Sequence, residues 1–209
     1  MNFIVVQTAF DLWARSYDAD AALRAGWVAH EKVAQAVCAH KPALPVRHAV
    51  DLGTGTGLVL SYLKNEFAAA RLTGVDLSVK MLEECRKKAL AHRLVQHNLA
   101  QSHWPLNEGG AQVVTASGVL EFVRDSAGSV KNAAAILQKG GLAVITHQPP
   151  HIGKKPPIGS GATFSHLPSE MADSFTKAGM GILEHNQFAA YRCLGSITHY
   201  GLIAAHKLG

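Results

Sequence analysis

From Arg47 to His147 the chain alternates short apolar runs with amphipathic segments, and this order restricts the fold more than any other feature. "RHAVDL", "RLTGVDL", "RLVQHNL", "AQVVTAS" and "GLAVITH" are each about one strand long and rich in Val, Leu and Ile. Helical patterns run between them. "GLVLSYLKNEF" puts Leu60, Leu63 and Phe67 on one side, and "VKMLEECRKKALAH" makes a stripe of Met81, Leu82 and Cys85 behind a Ser78 cap. "SAGSVKNAAAILQ" reads as a further helix, stopping at Lys139-Gly140-Gly141 as a glycine C-cap. Such alternation implies parallel strands with helices on both faces, because each crossover must pass over the sheet. "GLAVITH" is apolar throughout, as expected of a strand covered on both sides.

The flanks extend this plan. "FDLWARSYDADAALRAGWVAHEKVAQAVCAH" is Ala-rich, with Phe10, Trp13, Ala14 and Tyr17 at helical spacing. That spacing predicts core packing for Trp13, and either core packing or ligand contact for Tyr17. Gly26 should separate two helices, and "KPALP" should end the second. After His147 the stretch from Gln148 to Pro168 is rich in Pro and Gly, which predicts an irregular loop with a functional role. A last helix, "SEMADSFTKAG", follows with Ser169 as cap and Gly179 as stop, then two strands near Gly181–Tyr191 and Thr198–Lys207. The expected fold is therefore α/β: a Rossmann-like, doubly wound, mostly parallel seven-stranded sheet with an antiparallel C-terminal hairpin and helices on both faces. One domain over 1–209 is expected, with a helical cap (1–45), a ligand-binding core (46–147), an acceptor-side loop (148–168), and a closing helix and hairpin (169–209).

Composition narrows the partners. A net charge of +5 is mildly basic, but the bases are scattered and Arg86-Lys87-Lys88 is the one triplet, so a nucleic-acid footprint is not indicated. Acidic small substrates or cofactors suit that charge equally well. Cys38, Cys85 and Cys193 lack metal or redox spacing, and no Cys/His constellation suggests a metal. No apolar stretch approaches the ~20 residues of a membrane span, and the N-terminus lacks the basic start of a signal peptide. A cytoplasmic protein is expected.

"DLGTGTG", Asp51 to Gly57, follows the first strand and opens a helix. Three glycines there permit either a tight turn or a close approach of ligand to bare backbone. Asp76, 19 residues past Gly57 at the end of the second strand, favours the ligand, since a carboxylate there can accept both hydroxyls of a ribose. A dinucleotide loop needs a third glycine where Leu58 stands, and a P-loop needs Lys then Ser/Thr where "GLVL" stands. With Asp51 beside it, the loop suits a phosphate-free nucleoside carrying a cationic amino-acid end.

"AVDLGTGTG", "LTGVDLS", "LVQHNL", "AQVVTASGVLEFV" and "ILQKGGLAVITH" resemble, in order and spacing, the motifs of class I S-adenosylmethionine-dependent methyltransferases. The leader "FDLWARSYDADAALRAGW" is similar to that of the type 11/12 subgroup, and the closing "AYRCLGSITHYGLIAAHK" to relatives of methyltransferase-like protein 27. The resemblance implies S-adenosylmethionine as cofactor. It places Gly53, Thr54, Gly55 and Gly57 under the methionine part, with Asp51 at its ammonium. It puts Asp76 on the ribose, Leu77 and Met81 beside the adenine, and Asn98 at the adenine amino group with Leu99 adjacent. Asn98 stands where the family usually has Asp. Ser117 and Gly118 would lie near the sulfonium and the acceptor entrance, and Tyr17 would close over the methionine end.

Methyl transfer is an in-line displacement, served mainly by alignment and exclusion of water; a hydroxyl acceptor adds the need for a base. His147, after the fifth strand, and Glu121, after the fourth, are the candidate catalytic groups. His151, His166 and the pair Lys154-Lys155 lie in the Pro/Gly-rich loop, the lysines as a solvated pair or as attraction for an anionic acceptor. His40, His48, His92, His97, His103 and His185 are set aside as surface or loop residues. The expected reaction is methylation of a small-molecule acceptor. The alternatives are a non-catalytic S-adenosylmethionine-binding protein and a protein or RNA methyltransferase, although "SGVL" stands where base N-methylating enzymes carry Asn/Asp-Pro-Pro-Tyr/Phe.

Overall fold

In a computed structural model that describes residues 3–151, 163–193 and 196–209, seven strands make one sheet. They are β1 (His48–Leu52), β2 (Arg71–Asp76), β3 (Arg93–Gln96), β4 (Ala111–Ala116), β5 (Leu137–His147), β6 (Met180–Cys193) and β7 (Ser196–Lys207). Their order is β3-β2-β1-β4-β5-β7-β6. The first five run parallel, while β7 is antiparallel to both β5 and β6. The expected architecture is present, closing hairpin included.

The helices are α1 (Phe3–Trp13), α2 (Tyr17–Ala19) running into a π-helical turn (Asp20–Ala25), α3 (Ala29–Ala39), α4 (Leu58–Glu66), α5 (Val79–Lys87), α6 (Ser126–Ile136) and α7 (Pro168–Lys177). Alternate strand residues feed two cores. Val50, Val114, Ala143, Ile145 and Ile203 pack with Val130, Met171 and Phe175 of α6 and α7. Ala49, Val113, Leu142, Val144 and Leu202 pack with Val33, Leu60, Leu63 and Cys85 of α3, α4 and α5. Each fully buried aliphatic side chain contributes roughly 1.5–3 kcal/mol. A sheet apolar on both faces therefore requires helices on both.

Local signals hold in part. Ser78 caps α5 by accepting from the Met81 amide at 3.0 Å, and Gly26 and Gly179 both take left-handed φ just beyond their helices. Helix α6, however, stops at Ile136 rather than at the glycines. Leu137 already pairs with Ala111, and Gly140, at φ +73°, lies inside β5 where the register shifts. Helix α7 starts at Pro168 instead of being capped by Ser169, because proline needs no hydrogen-bond partner in a first turn. The core packing expected of Trp13 does not occur. Helix α1 buries none of its residues, and the 39 % exposed indole donates to Asp20 Oδ2 at 2.9 Å. No helix of the described residues is long and apolar enough to cross a membrane.

Candidate functional site

Strand order reverses between β1 and β4, and ligands of such sheets bind where the carboxyl ends part. A cavity of about 200 Å³ lies there. Its floor is the turn after β1. Gly53, Gly55 and Gly57 all adopt left-handed φ, of +66°, +53° and +92°, but for different reasons. A Cβ on Gly53 would come within 2.5 Å of the Val119 side chain, and one on Gly57 within 2.9 Å of Cys85 and Leu90, so both glycines answer to packing. A Cβ on Gly55 would meet nothing within 4 Å. Gly55 lines the cavity, and its bare backbone can meet a ligand closely.

Asp76 joins this turn to the end of β2. Its Oδ2 accepts from the Gly55 amide and its Oδ1 from the Ser78 amide, both at 2.8 Å. Burial pushes its carboxyl up to about 6, against the pull of those amides. Each oxygen keeps a further lone pair for an incoming hydroxyl. Leu77 follows it into the cavity, with Met81 from α5, Asn98 and Leu99 from beyond β3, Ser117 and Gly118 from beyond β4, and Tyr17 from α2. Ten of the thirteen expected ligand residues thus share one cleft. Burial, with the nearby carboxylates of Glu121, Asp76 and Asp18, raises the Tyr17 phenol well above its usual range.

Asp51, Thr54 and Gly57 stand behind the turn rather than on the cavity wall. Asp51 is 1 % exposed and takes a hydrogen bond from Thr115 Oγ1 at 2.7 Å; burial pushes its carboxyl up to about 7. Its place under the turn suits a field effect on a cation more than direct contact.

The two candidate catalytic groups separate. His147 does not reach the cleft. Its ring packs on Gly201, directly across the β5–β7 pair, where a Cβ would fall 2.1 Å from Nε2. Both ring nitrogens lack partners, and burial first, then His185 and His166, lower it to about 4. Glu121 lies in the 3-10 turn Leu120–Phe122. It is 3 % exposed, its Oε1 accepts from the Tyr200 hydroxyl, and its Oε2 has no partner. Burial pushes it up to about 7.

Phe164 and His166, just before α7, lie against that turn. The Phe164 amide donates to the Glu121 carbonyl at 2.7 Å, His166 Nε2 meets the Leu120 carbonyl at 2.9 Å, and the His166 amide donates to the Gln148 carbonyl at 2.8 Å. Lys154 and Lys155 lie outside the described residues. Sequence reasoning missed the roof of the cleft, Phe3, Val6 and Phe10 of α1 with Phe122, and it set aside His97, which lines the cavity. The place of His97, one residue past β3 at the ligand-bearing end, was the available signal. Among the described residues no His/Cys/Asp/Glu group has the makings of a metal site.

The family model described as "Methyltransferase domain" matches residues 50–145. Curated relatives include trans-aconitate 2-methyltransferase of Rhodopseudomonas palustris (strain BisB18), 31 % identical over 47 % of this chain and 38 % of that protein. The protein of the same name from Paracidovorax citrulli (strain AAC00-1) is 32 % identical over 56 % of this chain and 43 % of its own length. This chain spans only about two-fifths of such relatives. Among solved structures, a chain of the Haloferax volcanii Trm112 methyltransferase activator complex superposes with TM-score 0.75 at 18 % identity, over 96 % of this chain and 98 % of that one. The [4+2]-cyclase SpnF does so at 0.75 and 15 %, over 98 % and 96 %. A cyclase on this fold shows that fold alone does not set the reaction. Residues 50–145 thus match a methyltransferase domain, and the sheet topology of the whole chain is that of the solved structures it superposes on.

Proposed function

We propose that the protein transfers a methyl group from S-adenosylmethionine to a small-molecule acceptor. The observation that carries this reading is the meeting of the bare Gly55 backbone and the Asp76 carboxylate in one cleft at the strand switch point. Asp76 would take the ribose hydroxyls, Leu77 and Met81 the faces of the adenine, and Asn98 its amino group, accepting through its amide oxygen. Gly53 and Gly55 would lie along the methionine part, with the buried Asp51 charge behind the turn favouring its ammonium. When bound, the cofactor supplies an electrophilic methyl carbon on a sulfonium leaving group. The chain's own part is to align and to dry the site. Tyr17, Phe10 and Phe122 roof it, the last two edge-to-face with centroids 5.4 Å apart. Ser117 and Gly118 border the side where an acceptor would enter.

Calorimetry with S-adenosylhomocysteine is the test. Micromolar-range binding is expected, weakened at least ~30-fold in Asp76→Ala, roughly the worth of a charge-assisted hydrogen bond or two. No heat from either the cofactor or its product would refute the reading. A second reading, methylation of a polycarboxylate, draws on the names of the curated relatives and on the net charge of +5.

A further inference from the structure

One buried acid is left over when the cofactor residues have been assigned. Glu121 Oε2 is unpartnered inside the protein, a situation that disfavours the bare charge unless a cation arrives. Its surroundings are aromatic. The hydroxyl of Tyr200 holds the other oxygen, and the Tyr200 ring meets Trp27 edge-on at 5.3 Å. Tyr191 stands 5.8 Å from Trp27 and 6.3 Å from Tyr200. The Trp27 backbone is fixed by donation to the Ala21 carbonyl, and that of Val28 by donation to Ala190 on β6. The cluster abuts the cleft through Gly118, where a Cβ would fall 2.6 Å from the Trp27 ring and 3.7 Å from Glu121 Oε1. Thr198, paired with Tyr191 across the hairpin, also has a buried hydroxyl without a partner, as does Ser117 in the cleft wall.

Aromatic faces and a carboxylate attract a cation and repel an anion. Among the described residues, no Lys or Arg lines the cleft to receive a carboxylate acceptor. We propose that the methyl acceptor is an amine, its nitrogen received at the cleft wall beside Gly118, where the Trp27 ring and the Glu121 carboxyl approach it with Tyr191 and Tyr200 behind them. This inference rests on the methyltransferase reading above and names the acceptor class for the same site. An alkylammonium gives one N–H proton to Glu121. The nitrogen lone pair then forms the new N–C bond as the methyl carbon–sulfur bond breaks. Positive charge passes from sulfur to nitrogen, a neutral thioether remains, and the Glu121 proton leaves to solvent.

The test uses the whole chain saturated with S-adenosylhomocysteine. Choline and its uncharged isostere 3,3-dimethyl-1-butanol are titrated by saturation-transfer NMR. Choline should bind at least ~10-fold more tightly, and Glu121→Gln should bring the two within about twofold while its heat with S-adenosylhomocysteine stays as in the parent. Trp27→Leu should weaken choline likewise. Equal binding of the two probes, or a preference that survives Glu121→Gln, overturns the proposal. So does choline that binds beside the product but is expelled by S-adenosylmethionine, since the rings would then serve the sulfonium. With a metabolite extract and tritiated cofactor, label that is base-stable and held on a cation exchanger is expected. Base-labile, volatile label would signify a carboxylate ester and sink the amine while leaving the methyltransferase intact.

Discussion

Asp51 shows what a single residue can reveal and conceal. Its position before the first glycine was legible, as was that of Asp76, because strand ends and glycine spacing locate both. Its burial under the turn, bonded to Thr115 on a neighbouring strand, was not. That burial has a signed consequence. The carboxyl titrates at about 7 in the fold against an ordinary 3.8, so the folded state holds its proton longer than the unfolded chain does. Stability from this group is therefore full below pH ~4, declines as pH rises towards 7, and is constant beyond, a loss on the order of 4 kcal/mol. Thermal melts of the ligand-free protein at pH 5 and pH 8 should show a gap that Asp51→Asn narrows; an unchanged gap would contradict the argument. On the proposed reading the ionised form favours the ligand's ammonium, so affinity for S-adenosylhomocysteine should rise between pH 6 and 8 in the parent and stay flat in that variant. Glu121 was read as a candidate after β4, yet nothing local distinguishes a solvated glutamate from one enclosed by a hairpin arriving about eighty residues later.

At the scale of the element, the glycine turn divides its labour. Gly57→Ala places a methyl against Cys85 and Leu90 at left-handed φ. It should lower stability by about 2 kcal/mol or more, the αL penalty plus the clash. Gly55→Ala meets no atom and should cost nearer ~1 kcal/mol, yet it should weaken S-adenosylhomocysteine at least ~10-fold by crowding the ligand. Denaturant melts and calorimetry on the two variants separate the effects, and equal affinity losses would refute the division. Strand β5 carries the opposite lesson. His147 ends it at the expected height, but strand alternation turns the side chain to the face where Gly201 leaves room. Tyr200, one residue earlier on β7, points to the other face with Glu121. Helix ends were the least legible feature, since sheet pairing drew Leu137 and Gln138 out of the expected helix, and the expected Lys139-Gly140-Gly141 cap with them, into β5.

For the whole molecule, the site couples to stability by mass action. Asp51 and Asp76 are both pushed up by burial when no ligand is present, so a ligand carrying a cation and hydroxyls relieves a folded-state cost. S-adenosylhomocysteine at a hundred times its Kd should add ~2.7 kcal/mol and raise Tm by roughly 5–10 °C for a chain of this size. No shift in differential scanning fluorimetry would mean that the cleft does not bind it. The order of strands and helices, the closing hairpin and the positions of the cleft-lining residues were determined by the sequence itself, because apolar periodicity, turn residues and strand-end acids act over a few residues. Which acids are buried, which face a histidine takes, and which rings gather around Glu121 were decided by tertiary structure. They depend on register between strands far apart in the chain, and on the low dielectric that exists only once both faces of the sheet are covered.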